Sequence, residues 1–317
     1  MNDIDEGIAV SADNLTKEFG AFVAVDHVTF KVKAGEIFGF LGPNGAGKTT
    51  TIKMMTGLLA PTAGRGMVAG YDIASEAEYV KRNIGYMSQL FSLYADMSVE
   101  ENINFYAGMY SVPNSKLAER RNWVLEVAGL QDQKHRLTGE LPLGIKQRLA
   151  LGCAVLHEPP ILFLDEPTSG VDPLSRRRFW DLIYNLTEEG TTVFVSTHYM
   201  EEAEYCNRLA LMNRGKLIAL DSPYEIRRST SDPLYDLNTD DSLKTVKALQ
   251  GLSNILEVSM YGRTVHVTVM DDEHAEQEMR ETLDQKGVRV LSMRRIQPSL
   301  EDAFVSKVRA AGGAPVD

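Results

Sequence analysis

Residues 36–55 read EIFGFLGPNGAGKTTTIKMM, an apolar run leading into a glycine-rich loop. The opening run EIFGFLG (36–42) is densely apolar, as strands buried on both faces of a mainly parallel sheet are. From Gly42 through Pro43, Asn44, Gly45, Ala46, Gly47 and Lys48 to Thr49 and Thr50, the chain fits the pattern G-x-x-x-x-G-K-[ST]. The glycines let the backbone wrap so that successive N–H groups point inward at phosphate oxygens. A helix starting near Gly47 adds its positive end. Lys48 would supply charge to the β- and γ-phosphates, and the Thr49 hydroxyl can ligate Mg²⁺.

A second element narrows the reading. Ile161-Leu162-Phe163-Leu164-Asp165-Glu166 is an apolar strand ending in two carboxylates. Such a strand delivers Asp165 and Glu166 to its C-terminal edge, where ligands sit in open α/β sheets. Asp165 fits the role of holding Mg²⁺. Glu166 is placed to polarise an attacking water as general base.

On either side of these two elements, strand-like and helix-like segments alternate through the first 220 residues or so, which predicts an α/β core. Residues 8–15 and 24–32 alternate apolar and polar positions. Residues 83–87 and 191–197 are denser apolar runs. Ser98 and Glu101 have capping-box spacing and predict a helix start. A second helix is expected over about 117–127, and a third after Asp172-Pro173, since proline suits a first helical turn. Arg176-Arg177-Arg178 reads as a solvated helix face, and Glu201-Glu202 as the polar start of a helix. The polar stretch Ser229-Thr230-Ser231-Asp232-Pro233 reads as a linker. Beyond it the expected order β-α-β-β-α-β matches a ferredoxin-like α+β unit. The reading is therefore a nucleotide-binding domain over 1–228, a linker at 229–232, a C-terminal domain over 233–307 and a flexible tail at 308–317. The C-terminal domain contains no phosphate or metal motif, so a regulatory or dimer-supporting role is expected of it.

Composition excludes other classes. The 317 residues are 44% hydrophobic and 24% charged, ordinary for a globular chain with a sizeable core. A net charge of -11 argues against a nucleic-acid partner, whose phosphates demand clustered Lys and Arg. Cys153 and Cys206 lie far apart in no metal-like spacing, and buried thiols are expected. No window approaches the roughly 20 apolar residues that cross a bilayer, so no direct membrane insertion is expected. The acidic start MNDIDEGIAV lacks a signal-peptide layout. A cytoplasmic location follows as an expectation, with membrane association arising through a partner.

The glycine loop, Gln89, Leu141–Arg148, Ile161–Glu166, Ser169–Asp172 and His198 occur in the order found in ABC ATPases, and the resemblance covers about residues 8–228. It implies a cassette with a mainly parallel core sheet, an antiparallel β subdomain and a helical subdomain over about 90–158. It also implies ATP and Mg²⁺ as ligands. Phe19 resembles the aromatic that stacks on adenine, with a core position as the other reading. Gln89 resembles the glutamine that senses the γ-phosphate, contacts Mg²⁺ or water and reports to the membrane partner. Ser169-Gly170-Val171-Asp172 resembles the loop that crosses the cassette dimer beside the catalytic carboxylate, and His198 the switch histidine. Leu90-Phe91-Ser92-Leu93-Tyr94 resembles the groove where a permease helix docks, or is buried within the helical subdomain.

The layout also resembles ATPase subunits of bacterial drug exporters of the daunorubicin-resistance type, including the ending Pro298–Phe304. The resemblance implies export through separate transmembrane permease subunits, with the chain peripheral on the cytoplasmic face of the inner membrane. ABC ATPases acting in translation or DNA repair are the alternative. The former usually carry two cassettes. The latter insert long coiled coils, whereas only 55 residues separate Gln89 from Gly144. One departure stands out. Where the family signature is Leu-Ser-Gly-Gly-Gln, this chain has Leu141-Pro142-Leu143-Gly144-Ile145. Pro142 removes a hydroxyl and an N–H, and Leu143 adds bulk, while the helix it opens should survive. A second cassette is expected as partner, either the same chain or a non-identical one that supplies the usual signature.

Overall fold

The computed structural model describes residues 7–89, 93–230 and 232–312, which fall into two compact units divided between Pro223 and Tyr224. That division precedes the expected linker at 229–232, and the short helix Pro223–Arg228 starts at the boundary.

The first unit is built on a six-stranded sheet. Its order is Lys216–Asp221, Arg208–Asn213, Ile37–Leu41, Thr192–Thr197, Ile161–Asp165 and Ile84–Met87. All neighbours are parallel except the edge pair Lys216–Asp221 with Arg208–Asn213. Every residue of Ile37–Leu41 and Ile161–Asp165 is buried, which explains their unbroken apolar runs. A four-stranded antiparallel sheet, ordered Phe22–Lys33, Ile8–Phe19, Ala63–Val68 and Tyr71–Asp72, packs against it. Phe30 from that sheet stacks on Phe38 at 5.6 Å, and Phe40 on Phe194 at 4.9 Å, so one aromatic cluster joins the sheets. Each such buried ring stabilises by about 1.5–3 kcal/mol.

Three helices, Val99–Met109, Asn114–Ala128 and Leu143–Ala154, form the region expected to be helical. The first begins at a complete capping box between Ser98 and Glu101. Asn102 is fully buried on it and exchanges hydrogen bonds with the Tyr94 backbone while donating to Thr138. Tyr94 is thereby held in place with its ring outward. Residues 90–92 of the expected docking loop lie outside the described residues. Leu93 is buried and Tyr94 is exposed.

The second unit has strands Leu234–Thr239, Ile255–Tyr261, Thr264–Val269 and Val290–Ile296, with helices Ser242–Leu249 and Ala275–Gln285 between them. The sheet is antiparallel throughout, with the Leu234–Thr239 strand between the third and fourth. This is the expected β-α-β-β-α-β arrangement. The final helix, Leu300–Ala310, runs past the expected start of the tail because Val308 is buried and anchors it. Residues 313–317 lie outside the described residues.

Candidate active site

The phosphate loop follows strand Ile37–Leu41 and opens helix Lys48–Met55, as the motif requires. Two glycines are fixed by geometry. A Cβ on Gly42 would lie 2.3 Å from the Met212 carbonyl oxygen. Gly47 caps the helix at φ 104, and a Cβ there would meet the Ala24 carbonyl at 2.6 Å. The Lys48 ammonium is buried and donates to the carbonyls of Gly42 at 2.7 Å and Pro43 at 3.2 Å. Asn44 to Thr50 line a cavity of about 300 Å³ together with Phe22, Ala24, Gln89 and Glu166.

Asp165 and Glu166 diverge although they are neighbours. Asp165 Oδ1 accepts from Thr49 Oγ1 at 3.0 Å and from Ser196 Oγ at 2.6 Å. Its Oδ2 is buried with no protein partner. Burial pushes the Asp165 pKa up, opposed by the hydrogen bonds from Ser196 and Thr49. An orphaned anionic oxygen beside a threonine hydroxyl is what a hard, oxygen-seeking cation takes, so the donor set fits Mg²⁺.

Glu166 adopts φ 48, a left-handed backbone that costs a non-glycine residue energy and clusters at functional sites. Its N–H is held by the Ser196 carbonyl at 3.1 Å and hydroxyl at 3.0 Å. The turn aims its carboxylate at three groups. Lys48 Nζ lies 3.2 Å from Oε1, Gln89 Nε2 donates to Oε2 at 3.1 Å, and His198 Nδ1 lies 3.2 Å from Oε2. The last contact is close but lacks hydrogen-bond alignment. Glu166 is only 7% exposed. Residues from four separate segments thus meet at one carboxylate.

The other expected site residues are placed as follows. Phe19 is 50% exposed with Lys17 Nζ 5.3 Å from its ring centre, so it is no core residue. Phe22, which the sequence reading passed over, is the aromatic that lines the phosphate cavity. Ser169 donates its N–H to the Glu166 carbonyl, Gly170 has φ 73, and Asp172 caps helix Pro173–Glu188 by accepting from Ser175 N at 2.9 Å. Leu141 is buried and exposed Pro142 caps helix Leu143–Ala154, with Ile145 N–H bonded to its carbonyl. A Cβ on Gly144 would lie 2.4 Å from Ser175 Cβ, so this glycine serves packing within the chain. Cys153 and Cys206 are buried free thiols whose pKa burial pushes up.

Two readings need correction. Arg177 and Arg178 are exposed, but Arg176 turns inward and lies 3.2 Å from Glu202, which is 1% exposed. Glu201 and Glu202 do open helix Met200–Ala203, with Glu201 exposed, but Glu202 is a buried carboxylate rather than a solvated one. Thr168 and Arg176, two of its partners, arrive from an earlier segment, so the local pattern does not announce its burial. Ser196 was also missed. Its only local signal is a hydroxyl inside a buried strand beside the one carrying Asp165.

The family profile described as ABC transporter matches residues 25–169, and that described as ATP-binding protein DrrA1-3-like, C-terminal domain, matches residues 222–308. The chain is 32% identical to the linearmycin resistance ATP-binding protein LnrL of Bacillus subtilis, over 94% of this chain and 97% of that one. It is 52% identical to the protein named "Probable multidrug ABC transporter ATP-binding protein YbhF" of Escherichia coli, over 70% of this chain. There it spans only 39% of the relative's length. Among solved structures, one described as the ATP-binding subunit of an ABC transporter matches with TM-score 0.64 and 30% identity, over 69% of this chain and 92% of that one. A dimeric post-hydrolysis cassette bound to ADP and phosphate matches with TM-score 0.61 and 26% identity, over 67% and 98%. The chain belongs to the ATP-binding proteins of ABC transporters.

Proposed function

We propose that this chain binds ATP with Mg²⁺ and hydrolyses it to ADP and phosphate, energising export through separate membrane-spanning permease subunits. The observation that carries this reading is the convergence of Lys48, Gln89 and His198 on Glu166, next to the Asp165–Thr49 pair. Lys48 and the loop N–H groups bind the phosphates. Asp165, Thr49 and Gln89 would hold Mg²⁺, which when bound neutralises phosphate charge. Glu166 takes the proton of the attacking water, and His198, beside it, orients toward the γ-phosphate. Phe19 offers its exposed face to the adenine.

The relatives' names favour export over translation or repair. One names linearmycin resistance, another bacitracin transport and others Nod factor export. Among the described residues no helix is long and apolar enough to cross a membrane. A groove of about 1000 Å³ lined by Leu58, Tyr86, Met109 and Tyr110, with Lys81 and Arg82 beside them, offers the permease a docking surface at the cytoplasmic face of the inner membrane. In this reading the first unit, ending at Pro223, is the nucleotide-binding domain, and the C-terminal unit is regulatory or dimer-supporting. ATPase assays with and without co-purified membrane protein test the proposal; no turnover in either would overturn it.

The partner cassette is the second part of the proposal. Pro142 offers neither side-chain hydroxyl nor backbone N–H at the helix start that would face the partner's nucleotide. We propose pairing with a non-identical cassette carrying the usual signature, giving one strong and one weak ATP site. The strong site combines Lys48, Glu166 and His198 with the partner's signature. A purified transporter containing only this cassette and hydrolysing at two equivalent sites would contradict it.

A further inference from the structure

We infer that Glu202 is a positioning residue that ties the loop Thr168–Asp172 to the segment carrying His198. Its mechanistic consequence rests on the ATPase reading above.

The linkage is a single buried carboxylate with partners on three segments. Glu202 Oε1 accepts from the Thr168 hydroxyl, at the start of the loop that follows Glu166. Oε2 accepts from Thr197 Oγ1 at 2.6 Å, at the end of the strand before His198. Arg176, on the first turn after that loop, lies 3.2 Å from Oε1 and neutralises the charge. Thr168, Thr197 and Glu202 are each 1% exposed. A carboxylate removed from water this completely persists only when paired and hydrogen-bonded.

The same arginine reaches the switch segment by a second route. Its guanidinium lies 4.3 Å from the centre of the Tyr199 ring, and Tyr199 packs on His198 at 4.1 Å. The Tyr199 N–H in turn donates to Thr197 Oγ1 at 3.0 Å. A displacement of the Thr168–Asp172 loop must therefore break bonds to Glu202 or carry Thr197–Tyr199 with it. Closure of a second cassette on that loop would in this way set the position of His198 against Glu166.

Hydrogen exchange on the full chain tests the linkage without relying on turnover. In Glu202→Gln, amides of 168–172 and of 197–200 should both exchange roughly tenfold faster or more, the loss expected when a buried charge-assisted hydrogen bond goes. The phosphate loop should not change. No response, or a response confined to 199–203, overturns the inference. Thr168→Val, which deletes one hydroxyl, is read by the same criterion and decides the matter if Glu202→Gln does not fold. For the mechanistic consequence, Glu202→Gln should lower kcat about tenfold with ATP affinity unchanged, and add nothing in a His198→Ala background. Equal losses in both backgrounds would sink that part. Absence of turnover in the unmodified chain would count against the ATPase reading instead, leaving the exchange result to stand alone.

Discussion

Lys48 Nζ lies 3.2 Å from Glu166 Oε1, both groups more than nine-tenths buried, so the phosphate-binding cation and the proposed base neutralise each other. Removing one member of a buried pair strands the other charge, at a cost of up to about 3–5 kcal/mol. Lys48→Ala should therefore weaken ATP binding and also lower Tm. Lys48→Ala combined with Glu166→Gln should recover part of the Tm but none of the binding. Thermal melts and nucleotide titrations of the three variants check this; a Tm unchanged by Lys48→Ala would contradict it.

Helical glycines at 144 and 108 should respond oppositely to alanine. Gly108 has open space where a Cβ would go, so Gly108→Ala should stabilise by up to about 1 kcal/mol. At Gly144 the Cβ would meet Ser175 Cβ at 2.4 Å, and overpacking of this kind costs roughly 1–3 kcal/mol. Denaturant unfolding should order the variants Gly108→Ala, wild type, Gly144→Ala from most to least stable. Equal midpoints would show that the helices slip apart freely.

Much of this was legible in the sequence because it is local. The phosphate loop is written in one stretch, and the capping box at Ser98 and Glu101 closes as its spacing predicts. The C-terminal strands and helices follow their own periodicity. What escaped depends on partners far along the chain. Ala63–Val68 reads AGRGMV, weak as a strand by propensity, and extends because it pairs with Ile8–Phe19. Arg176 and Glu202 looked like surface charges because nothing near them in sequence shows that they meet Thr168, Thr197 and Tyr199. Glu166 was recognised from its neighbours, yet its left-handed backbone is visible only in three dimensions.

Acid should act on the C-terminal unit through Asp302. Burial pushes its carboxyl up, but hydrogen bonds from His266 and Ser299 outweigh this and hold its pKa below the ordinary value. A depressed carboxylate contributes stability that is present above its unfolded pKa, near 3.9, and is lost as pH falls through the folded one. Circular-dichroism melts of the full chain should show an acid-sensitive transition below about pH 4 that is flatter in Asp302→Asn. Identical acid dependence in both proteins would remove Asp302 from the account.

In the proposed reaction Glu166 performs the chemistry while Lys48 and the phosphate loop perform the binding. Glu166→Gln keeps the side chain's shape and removes its charge and basicity together. ATP affinity and single-cycle turnover, measured on the same preparation of this variant with its membrane partner, separate the two roles. Affinity within a few-fold of the unmodified chain, with turnover down roughly 10²–10⁴-fold, is the predicted result. Turnover comparable to the unmodified protein would contradict it and assign the proton transfer to another group.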